Sequence, residues 1–500
     1  MPGTFYVTTP IYYPNDKPHI GHAYTTIMAD VLARWHYLLG DDVFFLTGTD
    51  EHGLKLQRAA EKAGKDPKTF VDEMASFFKK YWSLLNIGYS RFIRTTDEDH
   101  VETVKRALTK IYKKGLIYKG VYRGWYCTSC EKFYGEGEYL EKDGQKFCPI
   151  HLKPLEWVEE ETYFLKLSLY TEKILKLLET KDIIYPREYA REIISKLRRE
   201  GLKDLSITRP KSRVYWGVEA PWDPNHTIYV WVDALLNYLT GIGWGRDEET
   251  FWKYWRSAHH IIGKDILWFH SAIWFSLLDM LDLPPPKKVI VHGFILVRGV
   301  KMSKTIGNVV RIEDLVNEYG NVDAVRYLLM RFSTLEKDMD YNPEQFRQAY
   351  NAELADTLGN LVRRVGVLAK RKAGGIVERP NSLDQELERK AKETLEKAKK
   401  LVDEVKLGEA LVTIFDLLRE ANAYLNRTEP WKAENPAPIL YNALEAIRIA
   451  SIMLYPFMPA TMERLANALG FKIESFDKAC FGCWEKYQVK EAPILFPKLR

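Results

Sequence analysis

Three short stretches carry residue types whose spacing suits chemistry. The first is His19-Ile20-Gly21-His22, set where an extended run gives way to a helical one. A helix start offers unpaired N–H groups and the positive end of a dipole, both suited to phosphate. Gly21 leaves room for a flat ring against the backbone, and the flanking imidazoles can donate to phosphate oxygens. The usual nucleotide fingerprints, GxGxxG and GxxxxGKS, are absent from the sequence. The second stretch is Lys301-Met302-Ser303-Lys304-Thr305, about 280 residues later on a glycine-flanked loop. Two ammonium groups three residues apart can reach a polyphosphate. A lysine pair on a loop is ordinarily just solvated, and it becomes specific here only beside the first motif. The third is Cys127-x2-Cys130 followed, after seventeen residues, by Cys148-x2-His151. Two close pairs of this kind can converge on one tetrahedral zinc, with buried cysteines as the plainer alternative. With all four positions taken by protein the ion would be structural, crosslinking a short polar segment. Cys480-x2-Cys483 has no evident partner ligands and reads as structural.

The elements that must position these residues can be read from periodicity. Residues 5–13 are rich in β-branched and aromatic types and read as a strand. Apolar residues recur at helical spacing over 20–39, with Gly40 as a C′ stop. A second short strand spans 43–47. Strand, helix, strand is the opening of a parallel, Rossmann-type sheet. The pattern breaks over 118–161, which reads as an insertion. Strand signals return at 228–232 and 289–297. From 343 onward helical patterns dominate, over 344–371, 385–407, 410–427, 439–454 and 460–469, with no convincing strand until the last residues. The expected fold is thus an α/β Rossmann-type parallel-sheet catalytic domain with a zinc-bearing insertion, followed by an all-α helix bundle. The boundaries are 1–116 and 223–310 for the two catalytic halves, 117–222 for the connective insertion, 311–348 for a linker and 349–500 for the helical domain.

Composition narrows the class. The 500 residues are 46% hydrophobic and 28% charged, a globular balance that excludes a mainly disordered or collagen-like chain. Lys+Arg 73 against Asp+Glu 68 leaves +5, which neither demands nor forbids a nucleic acid. Five cysteines are too few for a disulfide framework and suit a metal site in a reducing compartment. The first residues lack a signal-peptide pattern, and the longest apolar run, 266–281, is short for a membrane span and reads as a buried helix. A cytoplasmic protein without a membrane partner is expected.

The two lysine- and histidine-bearing motifs resemble the HIGH and KMSKS signatures of class I aminoacyl-tRNA synthetases. The text between them is similar to the methionyl-tRNA synthetase family at Pro10-Ile11-Tyr12-Tyr13, Gly48-Thr49-Asp50-Glu51-His52-Gly53, Tyr229-Val230-Trp231-Val232-Asp233-Ala234 and Gly263-Lys264-Asp265-Ile266. The resemblance covers nearly the whole chain and is of the single-zinc-knot type. Thr305 stands where serine is frequent, and Leu235 where some members carry proline.

The resemblance implies a ligase that activates methionine with MgATP to methionyl-adenylate and passes it to the 3′-terminal adenosine of tRNA(Met), initiator tRNA included. It places His19 and His22 at the α-phosphate side with Gly21, Lys301 and Lys304 at the pyrophosphate, and Gly263 and Asp265 at the ribose. It assigns Ile11, Tyr13, Trp231, Ala234, Leu235, Tyr238, Phe269 and His270 to the methionine pocket, Asp50 to the α-amino group, and Asn360, Arg364 and Trp431 to the anticodon. ATP with Mg2+ and one structural Zn2+ on Cys127, Cys130, Cys148 and His151 are the expected cofactors. A monomer is expected, with any further tRNA-binding module on a separate chain. The alternatives are a Leu, Ile, Val or Cys synthetase of the same class, or a tRNA-binding relative without catalysis. The first three usually carry a much larger insertion, and the last is hard to reconcile with intact His19, His22, Lys301 and Lys304.

Overall fold

A computed structural model describes residues 3–129, 131–302 and 307–500. The expectations for Cys130, Lys304 and Thr305 lie outside the described residues. Six parallel strands make the central sheet: β1 (Thr4–Tyr12), β2 (Asp42–Thr49), β3 (Arg91–Arg94), β4 (Ile184–Tyr185), β5 (Ala258–Gly263) and β6 (Lys288–His292). Their spatial order is β3-β2-β1-β5-β6-β4. The chain steps outward from β1 to β3, crosses to lay β4 at the far edge, and then fills the places between β1 and β4 with β5 and β6. The β1–β5 boundary is therefore a topological switch point, and a crevice opens beyond the C-terminal ends of these strands.

The helix α1 (Ile20–Leu39) crosses from β1 to β2 over the span read from its periodicity. It ends at Gly40, whose φ of 90° lets its N–H reach the carbonyls of His36 and Tyr37. The inserted segment is a long antiparallel ribbon, Ile117–Cys127 against Glu156–Leu165, with short strands at its tip. The span then continues into helices Thr171–Thr180 and Arg187–Glu200, between which β4 joins the edge of the central sheet.

Two strand expectations need correction. Over 228–232 only Ile228 is in a strand, and Val230–Leu235 is a helix. A short run with nearly every residue buried shows no period, so periodicity cannot separate buried helix from buried strand. The stretch 289–297 is two strands, β6 and Ile295–Val297, the second pairing with Met339–Tyr341. In the helical part, Ile376–Glu378 pairs antiparallel with Lys486–Gln488, a small ribbon whose first strand was not foreseen.

That part contains α2 (Asn360–Lys372), α3 (Gln385–Asp403), α4 (Leu407–Thr428), α5 (Ala437–Leu454) and α6 (Pro459–Leu469). Helix α5 is long and apolar enough to cross a membrane, yet 83% of it is buried inside the protein. Its charges are internal: Arg448 pairs with Glu445 at 2.8 Å and donates to the carbonyls of Lys478 and Cys480. Cys480 and Cys483 are joined by a disulfide in the segment that Arg448 anchors. A single apolar core runs from α1 through α2–α6. At its centre the fully buried Arg326 donates to Asp30 of α1 at 2.6 Å and to the carbonyls of Leu85, Pro456 and Phe457. The helical part is thereby fastened directly to the helix that begins with the first motif.

Candidate functional site

A cleft of about 570 Å3 lies at the switch point. Its phosphate side is the start of α1. The His19 side chain accepts the Gly21 N–H at 3.1 Å, and His22 Nδ1 accepts the His19 N–H at 3.1 Å, a reciprocal cap. With each Nδ1 an acceptor, the neutral rings carry their protons on Nε2 and can donate from there. Burial, with help from the neighbouring His19 and Lys55, holds the His22 imidazole well below its usual pKa. It is therefore a neutral donor across the physiological range. A Cβ on Gly21 would stand 2.9 Å from the His19 ring, so it is the motif's own imidazole that requires the glycine.

The second motif comes back to this point through backbone pairing. Ile20 N–H donates to the Val310 carbonyl at 3.1 Å, and His19 forms a bridge with Arg311. Met302 lies against Gly21, and Lys301 Nζ sits 4.0 Å from the Phe294 ring centroid. Gly263 and Asp265, at the end of β5, line the opposite wall together with His292. Thr25 of α1 bonds to His292 Nε2 at 2.8 Å, tying that wall to the helix.

The apolar end is aromatic. Trp231 and Phe269 stack with centroids 3.9 Å apart, and His270 stands edge-on to Trp231. His270 Nδ1–H donates to the Ile266 carbonyl at 3.1 Å, so Nε2 accepts from the Tyr238 hydroxyl at 2.7 Å. Burial pulls the His270 imidazole down to about pKa 4, leaving it neutral. Ile11, Tyr13, Ala234 and Leu235 complete this end.

Asp50, at the end of β2, is almost fully buried and its Oδ1 has no hydrogen-bond partner among the described residues. Burial, and then the charges of Asp233, Glu131 and Glu51, push its carboxyl well above the usual range. Asp233 works in the opposite sense. Against the cost of burial, His52 and His100, donating at 2.7 and 2.8 Å, hold its carboxyl down to about pKa 2. The combination is a negative field around an unsatisfied carboxyl facing the cleft, a seat for a cation.

The cleft thus collects the described residues that the sequence nominated for phosphate, ribose and methionine. Sequence reasoning passed over Thr25, Asn237, His292 and Lys55, which also line it. Thr25, three positions after His22, Lys55, two after Gly53, and Asn237, three after Ala234, lay close enough to a motif to have been noticed, whereas His292 did not. The tip of the insertion reaches the rim through Ser129, Lys132 and His151.

At that tip the Cys127 and Cys148 sulfurs and a His151 nitrogen lie within 4.8 Å of one another. Cys148 Sγ and His151 Nδ1 are 3.7 Å apart, an edge length that tetrahedral zinc on thiolate and imidazole spans. The donor set fits zinc. The three residues nominated in the helical part meet in a second open cavity, also about 570 Å3, with Asp356, Arg363 and Asn422. Trp431 is 38% exposed there. Its ring lies 5.5 Å from the Arg364 guanidinium, which donates to Asn426 at 2.9 Å.

Comparison with known proteins adds the following. Residues 5–366 match the family described as "tRNA synthetases class I (M)", and residues 384–491 match "Anticodon-binding domain of tRNA ligase". The methionine–tRNA ligase of Thermotoga maritima is 44% identical over 477 residues, covering 94% of this chain and 75% of the relative. That of Caldanaerobacter subterraneus is 42% identical over 514 residues, with 100% and 79% covered. The structure of Mycobacterium tuberculosis methionyl-tRNA synthetase in complex with methionyl-adenylate superposes with a TM-score of 0.94 at 37% identity, covering 99% of this chain and 100% of the other. The free-state structure from the same organism gives 0.88 at 34% identity, with 100% and 99% covered.

Proposed function

The chain belongs to the methionine–tRNA ligase family of class I tRNA synthetases, and from that premise we propose how its own residues divide the work. The enzyme activates methionine with ATP to methionyl-adenylate and transfers the methionyl group to the 3′-terminal adenosine of tRNA. The nucleophile of the first step, a carboxylate, is already an anion. Catalysis therefore needs placement and charge stabilisation rather than a proton-removing base. The observation that carries the reading is the single cleft joining the start of α1, the end of β5 and the Trp231–Phe269 stack.

The neutral His19 and His22 donate Nε2–H to oxygens on the α-phosphate side, with Gly21 keeping that approach open. Asp265 and Gly263 hold the ribose. The methionine ammonium sits on Asp50, whose unpaired oxygen supports this placement. Its thioether lies among Ile11, Tyr13, Ala234, Leu235, Trp231 and Phe269, with the Tyr238–His270 pair closing the end. Neutral aromatic surroundings favour a polarizable sulfur. Lys301 and Lys304 neutralise the departing magnesium pyrophosphate. Zinc on Cys127, Cys130, Cys148 and His151 crosslinks the insertion tip, which has little apolar core of its own.

Asn360, Arg364 and Trp431 read the anticodon CAU, one base stacking on the indole. The tRNA partner is tRNA(Met), the initiator included, and the enzyme works as a cytoplasmic monomer. The domains divide at 1–116, 117–222, 223–310, 311–348 and 349–500.

The test is methionine-dependent ATP–pyrophosphate exchange with Lys304→Ala. Lys304 acts as charge moves to the pyrophosphate, so kcat falls about 10²–10³-fold by analogy with lost oxyanion donors. Methionine affinity is nearly unchanged. A normal single-turnover rate with weakened methionine binding overturns the role.

A further inference from the structure

Within the same insertion as the knot, Glu131 reaches back to Tyr13, which lines the methionine end of the cleft. Glu131 follows Cys130 at the turn into the Lys132–Tyr134 strand and is only 3% exposed. Its φ is 50°, in the left-handed region that an L side chain adopts at a cost. That turn aims the carboxylate away from the knot. Oε2 accepts the Tyr13 hydroxyl at 3.0 Å, and Oε1 accepts the Lys55 backbone N–H at 2.7 Å. The opposing backbone has made room: Gly53, at φ 101°, would place a Cβ 2.7 Å from both carboxylate oxygens. The contact therefore spans three parts of the chain that are remote in sequence: the end of β1, the segment that follows Asp50, and the inserted knot.

We propose that Glu131 is a positioning residue for methionine, holding the Tyr13 ring and the 53–55 backbone beside Asp50 in the geometry that receives the amino acid. It touches no substrate atom. It acts through Tyr13, which walls the methionine end, and through the segment that continues from the carboxylate for the ammonium. The inference rests on the assignment of the methionine pocket proposed above. Its consequence is that the insertion tip, proposed above as a zinc-crosslinked unit, also sets the affinity of the first step.

The experiment uses the full chain in methionine-dependent ATP–pyrophosphate exchange, with zinc content and melting temperature measured on the same preparations. Glu131→Ala raises the methionine KM about 10-fold, the scale of one or two lost charge-assisted hydrogen bonds. The ATP KM and kcat stay within about 2-fold, since no interaction made only in the transition state is removed. Glu131→Gln restores methionine binding to within about 3-fold, because its amide can accept from Lys55 and donate to the Tyr13 oxygen. Tyr13→Phe raises the methionine KM in the wild-type background and adds nothing in the Glu131→Ala background, as a shared contact requires. An unchanged methionine KM in Glu131→Ala, or effects of the two substitutions that simply multiply, overturns the proposal. If Glu131→Ala loses zinc or melts early, Tyr13→Phe and Glu131→Gln decide, and a normal KM in Tyr13→Phe counts against the role. Trp231→Ala is the separate control: a wild-type methionine KM there defeats the pocket assignment, whatever Glu131 does.

Discussion

Asp50 shows at the scale of one residue how the site trades stability for binding. Its carboxyl is pushed up by burial and by the acids around it. A carboxyl whose pKa is higher folded than unfolded binds more protons in the native state between those two values. Stability is thus lost as pH rises from the unfolded value, near 3.9, through the raised folded one. Asp50→Asn removes that loss, so the variant melts higher than wild type at neutral pH, and the difference vanishes below about pH 4. On the proposed assignment the same change takes away the partner of the methionine ammonium. Losing one side of a buried charged pair costs about 2–5 kcal/mol, so methionine affinity falls at least about 30-fold. Thermal melts across pH and methionine titration of one preparation check both halves. A variant that melts lower at neutral pH, or binds methionine normally, contradicts the assignment. Asp233 is the counter-case: equally buried, but with two imidazoles donating to it, it stays charged and needs no ligand.

Elements explain why short motifs suffice. Helix α1 brings His19 and His22 to the cleft because it starts at the switch point and because its start is capped by those two side chains. The inserted ribbon does the same work from the other side. Its paired strands carry Cys127, Cys148 and His151 to the rim, where the proposed metal would fix what little apolar material cannot. Cys148→Ser leaves one ligand missing from a set whose described members already stand at zinc-binding distance. Zinc content per chain then drops below one, protease cleavage within 128–155 increases, and transfer to tRNA falls more than pyrophosphate exchange. Full zinc and full charging in that variant rule out the ligand set.

At the scale of the whole molecule the question is how two cavities on different parts of the chain make one machine. The Arg326–Asp30 contact buries the joint between α1 and the helical part, so the second cavity, proposed for the anticodon, is held at a set position relative to the cleft. Trp431 lines the second cavity and not the cleft. Trp431→Ala therefore leaves pyrophosphate exchange near wild type, while kcat/KM for tRNA falls at least about 10–100-fold as a stacked base is lost. A tRNA altered at its first anticodon base loses comparably with the wild-type enzyme and less with the variant, because both changes remove one contact. The partly exposed indole beside Arg364 suits this role, and a purely structural tryptophan would instead lower the melting temperature without coupling to that base. Normal charging by folded Trp431→Ala excludes the anticodon role.

Much of this was legible without coordinates, for a physical reason. The 3.6-residue period of 20–39, the Gly40 stop and the two-pair Cys/His spacing are local, and local patterns survive in one dimension. Motif chemistry is local too, so His19, His22 and Lys301 could be nominated by type and context, while the aromatic set was implied by the resemblance to the family. What only the tertiary structure decided is long-range or buried on all sides. Val230–Leu235 is a helix that the sequence could not tell from a strand, because burial of nearly every residue erased its period. Thr25 and His292 belong to the cleft because parallel strands bring residues 267 positions apart into contact. Glu131 reads in sequence as one acid in a charged insertion. Its meaning comes from a turn with φ of 50° and a glycine on the far side that leaves room for its carboxylate, and neither has a signature until the chain is folded.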